Sequence, residues 1–516
     1  MTRVLRYALA VLAGMVVGLG SPPVDAYLAL WLGLVAFAWV LATPVPTRKR
    51  VWTTGALRGL AFGIGANLVI LRFIVIVVVR FTPLPWVAGV AALVLLSAFE
   101  ALRWTVAGVA CETLVRARVP RPVALAAGVY AGTFLPTMLP WTTAGLVSPW
   151  PEVVQLADVI GERGVAALMA LAAGLVANGV RAALRPSTRK SGLLEVSAAI
   201  VLVVVQMAYG QARMRSIEYA RSLAPRLRVG LIQPSIGATA RWDEERGPSI
   251  LQGLTTLTRR EEAHGADVVV WPETAYPYRV PHGAPAALDG ARALVQPGIR
   301  GPIIAGVQTT GTADGVFYNS VVVATRDGAL SPPYDKRHLL WFGETVPLAD
   351  RIPWLQHAFA RGLGLVPGDH EAVLVAGPMR AAALVCYEDM LPEAGREAMT
   401  VAPNLLVNVT NDAWFSGTAE PELHLRAAVL RAVELRRDLV RAVNAGPTSW
   451  VDAAGRVRGR ASTVFPSSIS AVTALLDTPR TFYARFGDVP WAMLALVLAN
   501  VAVWRAARRR RVDATG

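Results

Sequence analysis

Cys386 closes the apolar run Ala381-Ala382-Ala383-Leu384-Val385 and is followed by Tyr387-Glu388, so a thiol stands at the end of a strand-like segment. Glu273 stands the same way after Val268-Val269-Val270-Trp271-Pro272. Between them in the chain lies Tyr334-Asp335-Lys336-Arg337-His338. Lys336 is one of three lysines, with Lys49 and Lys190, in a sequence that otherwise uses arginine. A thiol has a pKa of about 8.5 and attacks as thiolate, so it needs a base or a positive neighbour. Taken singly, Cys386 reads as a buried structural cysteine and each carboxylate as a solvated or helix-capping group. Together the three make a nucleophile, a base and a cation, the parts needed for acyl transfer or for hydrolysis of an amide.

The elements that must carry these residues are of two kinds. The chain has 516 residues, 54% apolar and 17% charged, well displaced from the about 45–50% and about 25% of a soluble globular protein. Apolar runs long enough for a hydrocarbon core of about 30 Å occur near 5–20, 26–43, 55–79, 84–108, 121–139, 163–184, 193–210 and 489–507. About eight transmembrane helices are therefore expected, seven in a membrane domain over 1–211. The eighth belongs to 488–516 together with a basic tail. Residues 1–26 also carry the marks of a cleaved signal peptide, whose removal would not invert the remaining topology. Lys and Arg gather in every second connection: Arg3 and Arg6, Arg48 to Arg50, Arg116 to Arg121, Arg181 to Lys190, and Arg505 to Arg511. Cytoplasmic loops hold such excess, so both termini are expected in the cytoplasm and the long insert outside. That fringe holds 17 basic residues against two acidic ones, Glu112 and Asp513, which accounts for the whole net charge of +15. The charge is a topology signal and no nucleic-acid footprint. Gly55, Gly59 and Gly63 fall four apart, as do Gly14 and Gly18, a spacing that lets helices approach closely. Arg72 lies inside a span and is expected either to meet a lipid phosphate or to snorkel to the interface.

Residues 212–487 alternate between strand and helix patterns. Strands are expected at Arg228 to Gln233, Ala266 to Trp271, Pro302 to Val307, Tyr318 to Ala324, Ala381 to Val385, Leu405 to Val409 and Leu439 to Val443. Amphipathic helices are expected at Ser249 to His264 and Pro421 to Arg437. No metal is expected: the six histidines are never three or four apart, and the two cysteines, Cys111 and Cys386, are too few for a thiolate site. The serine elbow G-x-S-x-G and the phosphate loop G-x-x-x-x-G-K are missing from the sequence. No cofactor is expected.

Glu273, Lys336 and Cys386 resemble the Glu-Lys-Cys triad of the nitrilase superfamily. The whole chain resembles that superfamily's membrane-embedded branch, the bacterial apolipoprotein N-acyltransferases. The resemblance runs through Trp271-Pro272-Glu273-Thr274, Tyr334 to Leu339, Phe342 to Leu348, Val385-Cys386-Tyr387-Glu388, Asn408 to Phe415, Arg441 to Gly446 and Thr481 to Asp488. The membrane half agrees at Gln155 to Asp158 and on to Gly164. It implies an αββα sandwich domain inserted in a polytopic helical membrane domain, the insert periplasmic and the membrane a bacterial inner membrane. Trp341, where proline is usual, and Ser416 to Pro421 depart from the pattern.

The resemblance also implies a reaction. A phospholipid gives an acyl chain to Cys386 as a thioester, and the α-amine of an S-diacylglyceryl cysteine at an apolipoprotein's N-terminus takes it. Glu273 would be the general base and acid, and Lys336 would stabilise the oxyanion with a backbone N–H near Tyr387. Glu344 and Glu388 are implied as supporting carboxylates, Tyr387 as a pocket wall, and Trp242 as a neighbour of the acyl chain or acceptor. Two other readings stand beside this one: a membrane-tethered amidase of the nitrilase type, and a non-catalytic lipid-binding or transport protein that keeps the fold.

Overall fold

The computed structural model describes residues 3–43, 51–240, 243–341, 343–346, 351, 364–462 and 465–515. It divides into two compact units, one of Met1–Ala212, Thr418–Arg426 and Phe486–Gly516, the other of Arg213–Gly417 and Ala427–Arg485.

The first unit is helical. Its long elements are α1 (Arg3–Gly18), α2 (Tyr27–Leu41), α3 (Val51–Ile70), α4 (Ile74–Phe81), α5 (Trp86–Glu100), α6 (Leu102–Arg116), α7 (Arg121–Gly132), α8 (Ala157–Ala183) and α9 (Arg189–Leu223). A C-terminal helix covers Val489–Thr515. Four helical stretches are long and apolar enough to cross a membrane: Trp52–Ile70, Trp86–Arg116, Ala157–Ala183 and Pro186–Leu223. Val4–Gly18, Tyr27–Leu41 and Val489–Val501 are apolar but shorter. Among the described residues, four of the eight expected spans are thus matched in length and composition.

Two of the expected spans differ for identifiable reasons. The run 55–79 is broken after Ile70, where Arg72 donates to the carbonyls of Val69 (2.6 Å) and Pro22 (2.8 Å). Backbone oxygens thus take the charge that the sequence left to a lipid phosphate or to snorkelling. The run 121–139 is helical only to Gly132, about 18 Å at 1.5 Å per residue. Beyond it the backbone is irregular, and irregular backbone among apolar helices must find its partners inside the protein. Glu100 accepts from the N–H groups of Met138 (2.7 Å) and Leu139 (3.2 Å), and Arg103 donates to the carbonyl of Trp141. The Trp141 indole N–H reaches Asn67 (3.0 Å), whose amide donates to Ser97 O (3.1 Å).

The glycine spacing has its expected consequence. A Cβ on Gly59 would sit 2.0 Å from Trp104 O, one on Gly55 would be 2.7 Å from Gly108 O, and one on Gly63 would be 2.6 Å from Ala101 Cβ. Gly14 meets Phe62 O at 2.0 Å in the same way. Helices α1, α3 and α6 therefore pack backbone against backbone.

The second unit is built on two sheets. The first sheet has the order β13-β1-β2-β4-β5-β6, with β3 also on β4; the second has the order β12-β11-β10-β9-β8-β7. Their ranges are β1 Arg226–Gln233, β2 Val268–Val270, β3 Val280–Pro281, β4 Ile303–Thr310, β5 Phe317–Ala324, β6 Tyr334–Asp335, β7 Val373–Ala376, β8 Met379–Val385, β9 Leu405–Thr410, β10 Leu439–Val443, β11 Ser449–Val451, β12 Val457–Arg460 and β13 Ser467–Ala474. Alternate residues of the two sheets meet in one core: Val229, Leu231, Val270, Val321 and Val323 from the first, Ala381, Ala383, Val385, Val407 and Val409 from the second. The opposite face of the first sheet, with Ile232, Val269 and Ile303, packs on Leu251 and Leu254 of α10 (Gly247–Ala263). Helix α11 (Pro392–Ala398) lies against β8, and this unit also holds the second half, from Ala427 on, of α12 (Glu420–Leu435). Helices outside two facing sheets make an αββα sandwich.

Replacing Gly59 with alanine should lower the thermal midpoint of the detergent-solubilised protein by an overpacking cost of about 1–3 kcal/mol. An unchanged midpoint would show that α3 and α6 do not pack this closely.

Candidate active site

Strand β8 ends at Val385, and Cys386 opens a tight turn, Cys386–Met390, with φ +54°. A non-glycine residue there is strained and persists only where its surroundings hold it. Here they do. The Asn408 amide donates to the carbonyls of both Leu384 and Cys386, each at 3.0 Å. Glu388 accepts the Val385 N–H at 2.7 Å. The half-buried thiol packs on the edge of the inter-sheet core. Neither cysteine is in a disulfide.

Glu273 follows β2 by way of Trp271-Pro272, and Thr274 after it has φ +44°. The turn presses onto β4 at Gly306, where a Cβ would come within 2.3 Å of Pro272 O and 2.7 Å of Glu273 Cα. Only glycine leaves that space. Lys336 follows β6 and is 1% exposed, its backbone N–H held by Asn319 O (2.8 Å). Its ammonium lies 2.6 Å from Glu344 and 3.8 Å from Glu273.

Asn319 joins the parts together. Its side-chain amide donates to Glu273 Oε1 at 2.6 Å and to Glu344 Oε1 at 3.4 Å, while its main chain carries Lys336. Glu388 makes the other junction: one oxygen accepts the N–H groups of Arg337 (2.8 Å) and His338 (3.0 Å), the other accepts Tyr334 Oη (3.0 Å) and Val385 N. It fastens the Lys336 segment to the Cys386 turn. Asp335 is fixed by Ser320 Oγ (2.5 Å) and His282 Nε2 (2.7 Å).

Electrostatics follow from this burial. The Cys386 thiol is pushed well above its ordinary value, first by loss of water and then by Glu273, with Lys336 opposing. Burial alone would discharge Lys336, but Glu344, with Glu273 behind it, outweighs that and holds the ammonium charged. Burial raises Glu388 as well, against the backbone N–H groups of Val385, His338 and Arg337. Tyr387 is pushed up to about 12 by burial, with the Lys336 charge opposing. The resting site is therefore a neutral thiol beside a charged lysine. A proton leaves sulfur only when something nearby takes it.

The structure thus gathers Glu273, Lys336, Cys386, Glu344 and Glu388 in one place, with Tyr387 within electrostatic reach of Lys336. Trp242 lies outside the described residues. Trp341 is 38% exposed and forms an isolated bridge with Thr345. Asn319 escaped the sequence reading, although an amide inside the apolar run of β5 is the kind of misfit that marks a site. Asn408 was visible only as part of a longer motif.

Comparison with known proteins gives the family. A family model described as the apolipoprotein N-acyltransferase N-terminal domain matches residues 13–175, and one for carbon-nitrogen hydrolases matches 228–474. An apolipoprotein N-acyltransferase of Geobacter metallireducens is 32% identical over 508 residues, covering 95% of this chain and 93% of that one. The chain belongs to the apolipoprotein N-acyltransferase family. A member from Brucella melitensis biotype 1 is 30% identical over 542 residues, covering 98% and 97%. Among solved structures, an amidase from Nesterenkonia sp. covers 51% of this chain and 95% of its own at 19% identity and a TM-score of 0.36. A CN-hydrolase superfamily protein from Xanthomonas campestris covers 48% and 91% at 20% identity and a TM-score of 0.37.

Two outcomes follow for this N-acyltransferase family member. Iodoacetamide labelling of Cys386, read by intact mass with Cys386→Ala as control, should still accelerate above pH 9, because the raised thiol keeps the thiolate scarce at neutral pH. A plateau below pH 8 would contradict it. Asn319→Leu should keep the fold, read by its thermal midpoint, yet lose about 10²-fold in kcat/KM through misplacement of Glu273 and Lys336. Full activity would remove Asn319 from the site.

Proposed function

We propose that this protein moves an acyl chain from a phospholipid, through a thioester on Cys386, to the α-amine of the N-terminal S-diacylglyceryl cysteine of apolipoproteins. The observation that carries the reading is a buried ammonium held between two carboxylates beside a strained, raised-pKa thiol. Membership of the apolipoprotein N-acyltransferase family supports the choice of acceptor.

In the first half-reaction Glu273 takes the thiol proton as sulfur attacks the ester carbonyl. Lys336 and a backbone N–H near Tyr387 balance the oxyanion; losing one such donor costs about 2.7–4 kcal/mol in a comparable site. The ester C–O bond breaks, and Glu273 returns its proton to the departing lysophospholipid oxygen. In the second half-reaction the α-amine attacks the thioester, Glu273 accepts the N–H proton, and the C–S bond breaks with the proton restored to sulfur. Glu344 keeps Lys336 charged and in position, and Glu388 and Tyr387 shape the turn around the nucleophile. The family resemblance gives Trp242 a part in contacting the acyl chain or acceptor.

The membrane unit fits substrates that are themselves lipid-anchored. The Lys and Arg distribution supports a multi-pass protein of the bacterial inner membrane with cytoplasmic termini and a periplasmic catalytic unit.

Intact-mass measurement with phospholipid and limiting acceptor should show one acyl chain added to the wild type and none to Cys386→Ala. Absence of the adduct on the wild type would sink the covalent mechanism. Release of free fatty acid without transfer to a diacylated lipopeptide in liposomes would favour an amidase-like hydrolase instead.

A further inference from the structure

The segment Arg441 to Gly446 is part of the family resemblance, yet it takes no part in the chemistry proposed for Glu273, Lys336 and Cys386. Within it Asn444 follows β10 directly and is 4% exposed. Every polar group of this residue is paired. Its N–H donates to Thr410 O (3.0 Å) at the end of β9, and its carbonyl accepts the Ser235 N–H (2.8 Å) just beyond β1. Its side-chain oxygen accepts the N–H of Ile236 (2.9 Å), and its amide donates to Ile236 O (2.8 Å) and to Asn411 Oδ1 (2.9 Å). One residue of the second sheet thus holds the loop that leaves the first.

That loop needs holding. Ser235 has φ +55°, a strained conformation for a residue with a side chain, and such strain persists only where the surroundings impose it. The two sheets already share an apolar core, so their cohesion does not call for a polar clamp. A buried amide with all its partners fixes geometry more than it adds cohesion.

The geometry it fixes lies beside the nucleophile. Strands β8, β9 and β10 run parallel, with Val385 beside Val409 and Thr410 beside Val443. Cys386 and Asn444 therefore stand two strands apart on one sheet edge, roughly 10 Å at about 4.8 Å per strand. Asp412, next to Asn411, is within electrostatic range of the Cys386 sulfur, and a Cβ on Gly446 would sit 2.8 Å from its Oδ2. At that distance Asn444 does not touch the reacting atoms. A long acyl chain attached to the sulfur reaches the loop that Asn444 holds.

We infer that Asn444 is a positioning residue for the acyl chain: by fixing Ser235 and Ile236 it sets residues 234–240, the stretch leading to Trp242, as a wall along which a long chain on Cys386 lies. The inference rests on the thioester proposed for Cys386 and names a part of its substrate site.

The test uses the full-length protein in detergent with p-nitrophenyl palmitate and p-nitrophenyl acetate as acyl donors, and with nitrophenol release and intact mass as readouts. Asn444→Leu should raise KM for the palmitate about tenfold and lower kcat far less, the mark of lost binding shared by ground and transition states. Its KM for the acetate should stay near that of the wild type. An equal loss on both esters would show a merely structural residue and overturn the inference. The wild type supplies a test that does not need the variant to fold. Acylated from a p-nitrophenyl ester with a diazirine in mid-chain and then irradiated, it should show crosslinks within 234–240 by peptide mass analysis. Crosslinks only elsewhere would overturn the inference and leave the acyl-enzyme standing, whereas a wild type that takes no chain on Cys386 would overturn the thioester and the inference together.

Discussion

The catalytic unit depends on one buried ammonium. Removing Lys336 from water is costly unless its charge is matched at close range, and breaking such a buried pair costs about 3–5 kcal/mol. Glu344 at 2.6 Å and Glu273 at 3.8 Å supply the match. The surrounding architecture follows from keeping them there: Asn319 bridges both carboxylates from β5, Gly306 lets the Glu273 turn press onto β4, and Asp335 is fixed from two sides. The same ammonium is the positive neighbour that the Cys386 thiol needs.

The nucleophile is held by a second set of constraints. A left-handed cysteine at the end of a strand would relax if its carbonyl were free. The Asn408 amide and the four bonds accepted by Glu388 prevent that. Burial raises the thiol, so its proton stays on sulfur until a base takes it, the part proposed for Glu273. Strain and desolvation therefore act together, the one presenting the sulfur and the other keeping it unreactive toward water-borne chemistry.

The helical unit solves a different problem. Apolar helices gain little from burying apolar surface against one another in lipid, so they rely on close backbone approach and on internal polar bonds. Glycines supply the first along α1, α3 and α6, and Asn67, Glu100 and Arg103 supply the second around the irregular backbone beyond Gly132. The expected fifth span stops short of Pro136, which cannot continue a helix, and the N–H groups of Met138 and Leu139 beyond it are taken by Glu100.

Much of this was legible in the residue order. The carboxylate and the thiol stood out because each followed a strand-like run, and Lys336 because it is the only lysine of residues 212–487. The Gly55-Gly59-Gly63 spacing forecast a helix seam because four residues is close to one turn. Long strands such as β1 and β10 were plain from continuous apolar runs. Short or half-polar strands were not: β13, Ser467–Ala474, alternates serine with small residues, and β6 is two residues long, so neither carries a local signal. The roles of Asn319 and Asn408, the clamp by Glu388 and the seating of Arg72 on backbone carbonyls depend on partners tens of residues away in the chain. The sequence by itself determined which groups carry chemistry, because side-chain identity and local periodicity are local properties. Which of them touch, how far the charges stand apart and where helices stop were decided only by the tertiary structure, because those depend on burial and on hydrogen bonds closed across the fold.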